Sequence, residues 1–135
     1  HSTGEAKVKL ISYLVSTAHG LHSHASLRIE VNGVQYEAGA TGDGQFDAFV
    51  RGLRDIYENR LHRRFPNLVN YFVTIPPGGR TDALVQTVIS WEIDGRKLRT
   101  RGLDADQTDA AIKATIKMLN VLESMEGAEK KPLCK

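Results

Sequence analysis

Two stretches of the chain alternate apolar and polar residues in the way expected of half-buried β-strands. The first alternates through Ala25, Leu27, Ile29 and Val31, and the second through Thr87, Ile89, Trp91 and Ile93. Each leads to a two-residue turn that takes positive φ at little cost, followed by a return strand. The pattern predicts two hairpins, with strands at Ser26–Asn32 and Val34–Ala40 around Asn32-Gly33, and at Ala83–Ile93 and Lys97–Gly102 around Asp94-Gly95.

Each predicted hairpin runs through a turn rich in glycine or acid into a segment of helical periodicity. Apolar residues from Phe46 to Leu61 recur every three or four positions, which predicts a helix over about Gln45–Leu61. A second helix is predicted to follow Gln107 and to run to about Met125, with Ile112, Ile116, Leu119 and Leu122 facing inward. Asp43 is expected to cap the first helix and Gly127 to end the second.

The two halves repeat the same construction. Gly33 and Gly95, Gln45 and Gln107, and Asp47 and Asp109 are each separated by 62 positions. Further strands are predicted at Lys7–Ser16 and Leu68–Ile75, so the order is β-β-β-α twice. The sequence therefore predicts an α+β domain of two pseudo-symmetric βββα repeats, with antiparallel strands and helices packed on one side, in which each half covers the other.

The repeat sets the predicted domain bounds. Residues 1–6 are expected to be a linker or cloning remnant, 7–126 the domain (repeat one about 7–62, repeat two about 68–126), and 127–135 a flexible tail. The chain begins at His1 without a methionine and enters a strand soon afterwards, which suggests a piece cut from a longer protein.

Composition and charge exclude several classes of protein. The chain is 41% hydrophobic and 25% charged with a net charge of +2, which is too small to predict a nucleic-acid partner. The densest basic group is Arg60, His62, Arg63 and Arg64, for which a solvated helix end is the favoured interpretation. No apolar run is long enough to span a membrane, so no membrane partner is expected. A single cysteine, Cys134, favours a cytoplasmic location.

No catalytic or metal site is predicted. His19, His22 and His24 lack helical spacing and a neighbouring ligand set, so a loop with incidental histidines is favoured over a metal site. Nothing has the signature of a catalytic triad, and Cys134 lies in a tail with no apolar period to hold it in a site. Asp104 and Asp106 could serve acid–base chemistry, but helix caps are the favoured interpretation.

The two turns before the helices are the strongest candidate for binding. If the repeat brings Gly42-Asp43-Gly44 close to Asp104–Gln107, the helix N-termini offer N–H groups to a carboxylate and the aspartates attract an ammonium. Apolar residues such as Leu53 and Tyr57 would then fit a small side chain, as in a site for a free amino acid. Two solvent-facing caps explain the turns equally well, and the residues alone leave both interpretations open.

Longer motifs carry a family resemblance. GATGDGQFDA, followed by GGRTDALVQTVISWEIDGRKLRTRGLDADQTDAAIKATIKMLN, resembles the C-terminal regulatory domain of the 2-isopropylmalate synthase family, which also contains the (R)-citramalate synthases. The resemblance covers about Lys7 to Met125. Gln45 stands where proline is common in the family, and the His62–Pro77 region looks longer than in many relatives.

The resemblance implies a homodimeric domain that binds the end-product amino acid near the dimer interface, for feedback inhibition. It implies leucine as the favoured effector; the alternatives are an isoleucine-sensing citramalate synthase domain or a dimerisation scaffold that has lost effector binding. The catalytic barrel, with its divalent metal and acetyl-CoA site, would lie on an upstream segment, and no cofactor is expected in this chain. The implied effector contacts are Gly42, Asp43, Gly44, Tyr57, Asp104, Ala105, Asp106 and Gln107, with Arg80-Thr81-Asp82 as weaker candidates.

Overall fold

The computed structural model describes residues 6–17, 22–75 and 84–130, with only the backbone described for residues 126–130. The first unit consists of β1 (Val8–Ser16), β2 (Ser23–Val31), β3 (Val34–Gly42), α1 (Gln45–Asp55) and a π-helical turn (Ile56–Arg60). The second consists of β4 (Asn67–Thr74), β5 (Val85–Ile93), β6 (Arg96–Asp104) and α2 (Gln107–Lys130).

The predicted architecture is confirmed. Two antiparallel three-stranded sheets have the orders β1-β2-β3 and β4-β5-β6, and a helix follows each sheet. The hairpin turns have the predicted positive φ, at 51° and 88° for Asn32 and Gly33 and at 51° and 79° for Asp94 and Gly95. Such values match the turn type that follows the natural twist of a two-residue hairpin.

The first strand of each unit contains an irregularity at the same place. The pairing register shifts between Leu10 and Ser12 in β1 and between Leu68 and Asn70 in β4. These positions are 58 residues apart, whereas the hairpins repeat at 62, so the β4–β5 connection is four residues longer than its counterpart. Because both strands lie at sheet edges, the bulges bend the edge away from regular pairing.

One continuous core unites the two repeats. Its largest fully buried side chains include Trp91, Tyr57 and Phe49, which come from both units. Phe65 connects the units, because its ring lies 5.8 Å from that of Tyr57 and 6.4 Å from that of Trp91, each in an edge-to-face arrangement. Aromatic pairs of this geometry stabilise beyond the area that they bury. Each half therefore covers the other, as the repeat predicts.

The predicted helix ends need correction. The first helix changes at Ile56 from α-helical to π-helical geometry and ends at Arg60, one residue before the predicted end. The second continues to Lys130, so Gly127 does not end it. A helical glycine costs only about 1 kcal/mol relative to alanine, and Ala128, Glu129 and Lys130 all favour helix. Residues 131–135, with Cys134, lie outside the described residues.

Strand ends shift by a few residues from the prediction. β2 begins at Ser23, so Ser23 and His24, predicted in the loop, pair with β3 instead.

In the part of the chain that the structure describes, no helix is both long enough and apolar enough to cross a membrane.

Candidate functional site

The turn before α1 is fixed by a close approach of its backbone to the helix. A Cβ added to Gly42 would lie 2.5 Å from Asp47 Oδ2 and 2.6 Å from the Ala48 backbone nitrogen, so a side chain does not fit there. The predicted cap by Asp43 is wrong: Gly44 is the N-cap residue, and no side chain caps it. Asp47 instead folds back and accepts a hydrogen bond of 3.0 Å from the Asp43 N–H. The Asp43 carboxylate is left 90% exposed.

Asp47 is the charged anchor of this first turn. Burial raises the pKa of its carboxyl, but the hydrogen bond from the Asp43 N–H and the ion pair with Arg51 outweigh burial. The pKa of Asp47 is therefore lowered from its ordinary value. Arg51 Nε lies 2.9 Å from Asp47 Oδ2, one helical turn further along α1. The ionised carboxylate sits at the positive end of the helix dipole.

The second turn is capped by its own aspartates, as predicted. Asp106 Oδ2 accepts a hydrogen bond of 2.8 Å from the Asp109 N–H, and Asp104 Oδ1 accepts one of 2.9 Å from the Asp106 N–H. The hydrogen bond from the Asp106 N–H, followed by that from Lys113, lowers the pKa of Asp104 from its ordinary value. Both carboxylates are thus engaged with helix N–H groups or a cation, which is a structural role.

The two helix starts lie side by side. Thr108 Oγ1, at the start of α2, donates a hydrogen bond of 3.4 Å to Gln45 Oε1 at the start of α1. Ala105, Asp106 and Gln107 are exposed beside this contact, and Gly44 is half-buried. The turns predicted from the repeat are therefore brought together at one end of the domain, within a single chain.

Two tyrosines that the sequence pattern did not indicate flank the paired helix starts. Tyr13 of β1 donates a hydrogen bond to Asp109, and its ring lies edge-on to Phe49 at 5.8 Å. Tyr71 of β4 lies 5.7 Å from the ring of Phe46. The hydrogen bond to Asp109, with burial and the surrounding carboxylates, raises the pKa of Tyr13 to about 12. The sequence feature that could have indicated these tyrosines is their equivalent position in the two repeats, 58 residues apart rather than 62.

Tyr57 is not brought to the turns. It is buried at the opposite end of the helical segment, 1% exposed, and its OH donates a hydrogen bond of 3.0 Å to Glu123 Oε2. Tyr57 lies 12 positions beyond Gln45 along the helix, which corresponds to roughly 18 Å. Burial, with the charge and hydrogen bond of Glu123, raises the pKa of Tyr57. Leu53 is likewise fully buried in the core. The weaker candidates Arg80, Thr81 and Asp82 lie outside the described residues.

The described histidines His22 and His24 contact single neighbouring side chains. His22 Nδ1 lies 4.0 Å from Asp43 Oδ1, and His24 Nε2 lies 3.2 Å from Ser26 Oγ. Among residues 6–17, 22–75 and 84–130, no group of three or more His, Cys, Asp or Glu side chains is arranged to hold a metal ion. His19 lies outside those ranges.

Comparison with known proteins finds a matching family and several relatives. The model of one protein family, described as the LeuA allosteric (dimerisation) domain, matches residues 1–123. Over 119 residues the chain is 34% identical to a probable 2-isopropylmalate synthase of Methanopyrus kandleri, a match that covers 87% of this chain and 23% of that protein. A putative (R)-citramalate synthase of Archaeoglobus fulgidus is 31% identical over 120 residues, covering 87% and 23%. The 2-isopropylmalate synthase of Aquifex aeolicus is 29% identical over 114 residues, covering 84% and 21%. The chain thus spans less than a quarter of the length of these relatives.

Proposed function

We propose that this chain, which belongs to the LeuA allosteric (dimerisation) domain family, binds a branched-chain amino acid and conveys feedback inhibition to a synthase. Leucine is the favoured effector and a 2-isopropylmalate synthase the favoured parent enzyme, because that name recurs among the relatives. The observation that carries the proposal is the contact of the two helix starts through Thr108 and Gln45.

The paired turns have the chemistry that a free amino acid requires. The first N–H groups of both helices point out of the helix ends and favour the carboxylate of the ligand. The exposed carboxylate of Asp43, which does not cap α1, favours its ammonium group. Aromatic rings of Phe46, Tyr71 and Tyr13 lie beside the turns and supply an apolar wall for the side chain. N–H donors for the α-carboxylate and a carboxylate for the α-ammonium, with an apolar wall beside them, suit a zwitterionic α-amino acid.

A second copy of the chain is part of the proposal. The family is described as a dimerisation domain, and the edge strands leave several apolar side chains exposed: Ile11 at 44%, Leu14 at 65%, Val69 at 53% and Phe72 at 40%. Burying these residues against a partner would remove apolar surface from water. We infer that the effector binds near this interface, where the exposed turn residues of one copy face the other.

Feedback would pass to a catalytic barrel carried upstream in the same polypeptide, with its divalent metal and acetyl-CoA. The effector shifts the dimer only by its differential affinity for the active and inhibited arrangements. Deleting this domain from the full-length synthase is expected to leave activity that leucine no longer inhibits. Retained inhibition after the deletion would place the effector site elsewhere.

Calorimetric titration with leucine, isoleucine and valine tests the proposal. Saturable binding of leucine is expected, and Asp43→Ala and Gln107→Ala should each weaken it about tenfold, because each removes a polar contact to a charged ligand. Asp55→Ala is the matched control, since Asp55 is an exposed acid at the far end of α1. Its carboxylate accepts a hydrogen bond of 2.6 Å from Asn59 Nδ2. Preferred binding of isoleucine would instead favour a citramalate synthase, in line with the Archaeoglobus relative. A folded dimer that binds none of the three would favour a dimerisation scaffold.

A further inference from the structure

Strand β1 of the first unit lies along helix α2 of the second. Near the end of β1, the phenol of Tyr13 donates a hydrogen bond to Asp109 in the first turn of α2. At the start of the strand, the backbone N–H groups of Lys7 and Val8 each donate a hydrogen bond of 2.8 Å to Asn120 Oδ1. Hydrogen bonds between residues that are 96 to 113 positions apart therefore attach both ends of β1 to one helix.

The two attachment points have matched spacing along the strand and along the helix. Val8 and Tyr13 are five residues apart in an extended strand, which corresponds to roughly 17 Å. Asp109 and Asn120 are 11 residues apart in α2, which also corresponds to roughly 17 Å. Between the two attachment points, β1 and α2 therefore run side by side in opposite directions.

The side-chain amide of Asn120 is fully occupied by backbone partners. Its Nδ2 donates to the Val8 carbonyl at 3.0 Å and to the Ile116 carbonyl at 3.2 Å, in addition to the two hydrogen bonds that Oδ1 accepts. These four hydrogen bonds use every donor and acceptor of the side chain. Because the amide bonds both the N–H and the carbonyl of Val8, it takes the place of the neighbouring strand that the edge of the sheet lacks. Val8 is 1% exposed, so without Asn120 its backbone groups would lose their partners in a buried place.

The repeat does not reproduce these hydrogen bonds where β4 meets α1. Asp47, the counterpart of Asp109, makes its hydrogen bonds within its own unit. Tyr71, the counterpart of Tyr13, contacts the ring of Phe46 instead. Among the described residues, no hydrogen bond joins β4 to α1. The hydrogen-bonded crossing of a strand over the helix of the other unit is thus one-sided.

We propose that β1 and α2 form one cooperative unit, which links the proposed effector site to Lys7 and Val8 at the start of the first strand. The inference rests on the proposed function, because Tyr13 and Asp109 lie beside the turn before α2. From its start to Asn120, α2 continues without a break over roughly 20 Å. A change at the turn therefore reaches the start of β1 through one helix and its attached strand.

An effector bound at the paired turns favours the docked strand. Its contacts with the Tyr13 ring and with the turn before α2 hold together the two elements that the hydrogen bond from Tyr13 to Asp109 joins. An effector shifts the equilibrium between docked and undocked β1 only by binding the docked form more tightly. By reciprocity, a weaker attachment at Asn120 weakens effector binding. Because the proposed catalytic barrel lies upstream of β1, docking at Lys7 and Val8 fixes the segment through which inhibition passes.

Hydrogen exchange of the Val8 amide, in this chain without any ligand, tests the cooperative unit. Tyr13→Phe keeps the ring and removes the hydroxyl that bonds Asp109. Exchange at Val8 should become about fivefold faster, because loss of a hydrogen bond at one end of a cooperative unit opens the other end as well. Tyr71→Phe is the matched control and should leave exchange at Val8 unchanged, because the Tyr71 ring contacts Phe46. Unchanged exchange at Val8 in Tyr13→Phe, or an equal rise at the amides of β5, overturns the proposal.

Leucine titration of Asn120→Ala tests the link to the effector site. Asn120 lies roughly 20 Å from the start of α2, too far to touch the effector, yet the variant should bind leucine about fivefold more weakly. Asn59→Ala is the matched control and should bind leucine as the parent does, because Asn59 donates its hydrogen bond to Asp55 one helical turn away. Equal leucine affinity of Asn120→Ala and the parent overturns the link. A parent chain that binds no leucine overturns the proposed function instead, and exchange at Val8 then decides whether β1 and α2 form one unit.

Discussion

Gly102→Ala tests the packing that positions the second candidate turn. Gly102 of β6 lies against the first turns of α2, where an added Cβ would come 1.9 Å from the Ala110 carbonyl oxygen and 2.7 Å from the Ala114 nitrogen. A carbon–oxygen contact needs about 3.3 Å, so α2 would have to move by more than about 1 Å. Both obstructing atoms are backbone atoms, which no rotamer change can remove. We expect the free energy of unfolding to fall by about 3 kcal/mol.

The assay is thermal melting followed by leucine titration. A loss of about 3 kcal/mol corresponds to a Tm lower by roughly 10 °C in a domain of this size. Displacing the start of α2 would also pull Thr108 away from Gln45, so leucine affinity should fall in the protein that remains folded. Gly39→Ala is the matched control, since its Cβ would meet neighbours only at 3.7 Å, an ordinary contact. A Gly102→Ala protein that melts within about 2 °C of the parent would refute the close approach of β6 and α2.

Four further substitutions address the core and the first turn. Tyr57→Phe should lower the free energy of unfolding by about 1 kcal/mol, because it removes one hydrogen bond to Glu123. Glu123→Gln should lower it by about 3 kcal/mol, because the buried charge of Glu123 accepts hydrogen bonds from three donors. Urea unfolding measures both losses, and equal losses would contradict a hydrogen-bond network centred on Glu123. Thr87→Val should leave stability unchanged or raise it by up to about 1 kcal/mol, since Thr87 Oγ1 is buried with no partner among the described residues; a clear loss in the same assay would reveal a bond that the valine removes. Because folding lowers the pKa of Asp47, its ionised carboxylate stabilises the folded protein at pH values above the ordinary pKa of 3.8. This stabilisation is lost as the pH falls through the pKa of Asp47 in the folded protein. Asp47→Asn should therefore make Tm fall less steeply below about pH 4. The same fall in Tm in the variant and the parent would argue against a stabilising interaction of the ionised Asp47.

Local pattern determined the repeat architecture. The alternation through β2 and β5, the Asn32-Gly33 and Asp94-Gly95 turns and the periodicity of both helices were all read correctly from the sequence. These features depend on neighbours within a few residues, and such neighbours are fixed by the covalent chain. The glycine of each turn supplies a positive φ that few other residues accept, so these positions are also strongly specified.

Helix ends and caps were less well determined. The prediction placed Asp43 at the cap of α1, but the carboxylate of Asp47 accepts the Asp43 N–H instead. Both aspartates lie close enough to the helix start to be predicted as caps. The close approach of the Gly42 backbone to Asp47 and Ala48 decides between them. The extension of α2 past Gly127 shows the same limit, because one glycine lowers helix propensity without ending a long helix.

The sequence by itself therefore determined the βββα repeats, their hairpins and the turns that form the candidate effector site. Only the tertiary structure decided that Thr108 contacts Gln45, that Tyr13 and Tyr71 flank them, and that Tyr57 bonds Glu123 at the opposite end. It also decided that β1 is attached to α2 at both of its ends. Periodicity records which face of an element is buried, whereas contacts between residues tens of positions apart depend on how the faces pack. That packing is set by the whole core, which no local window of sequence contains.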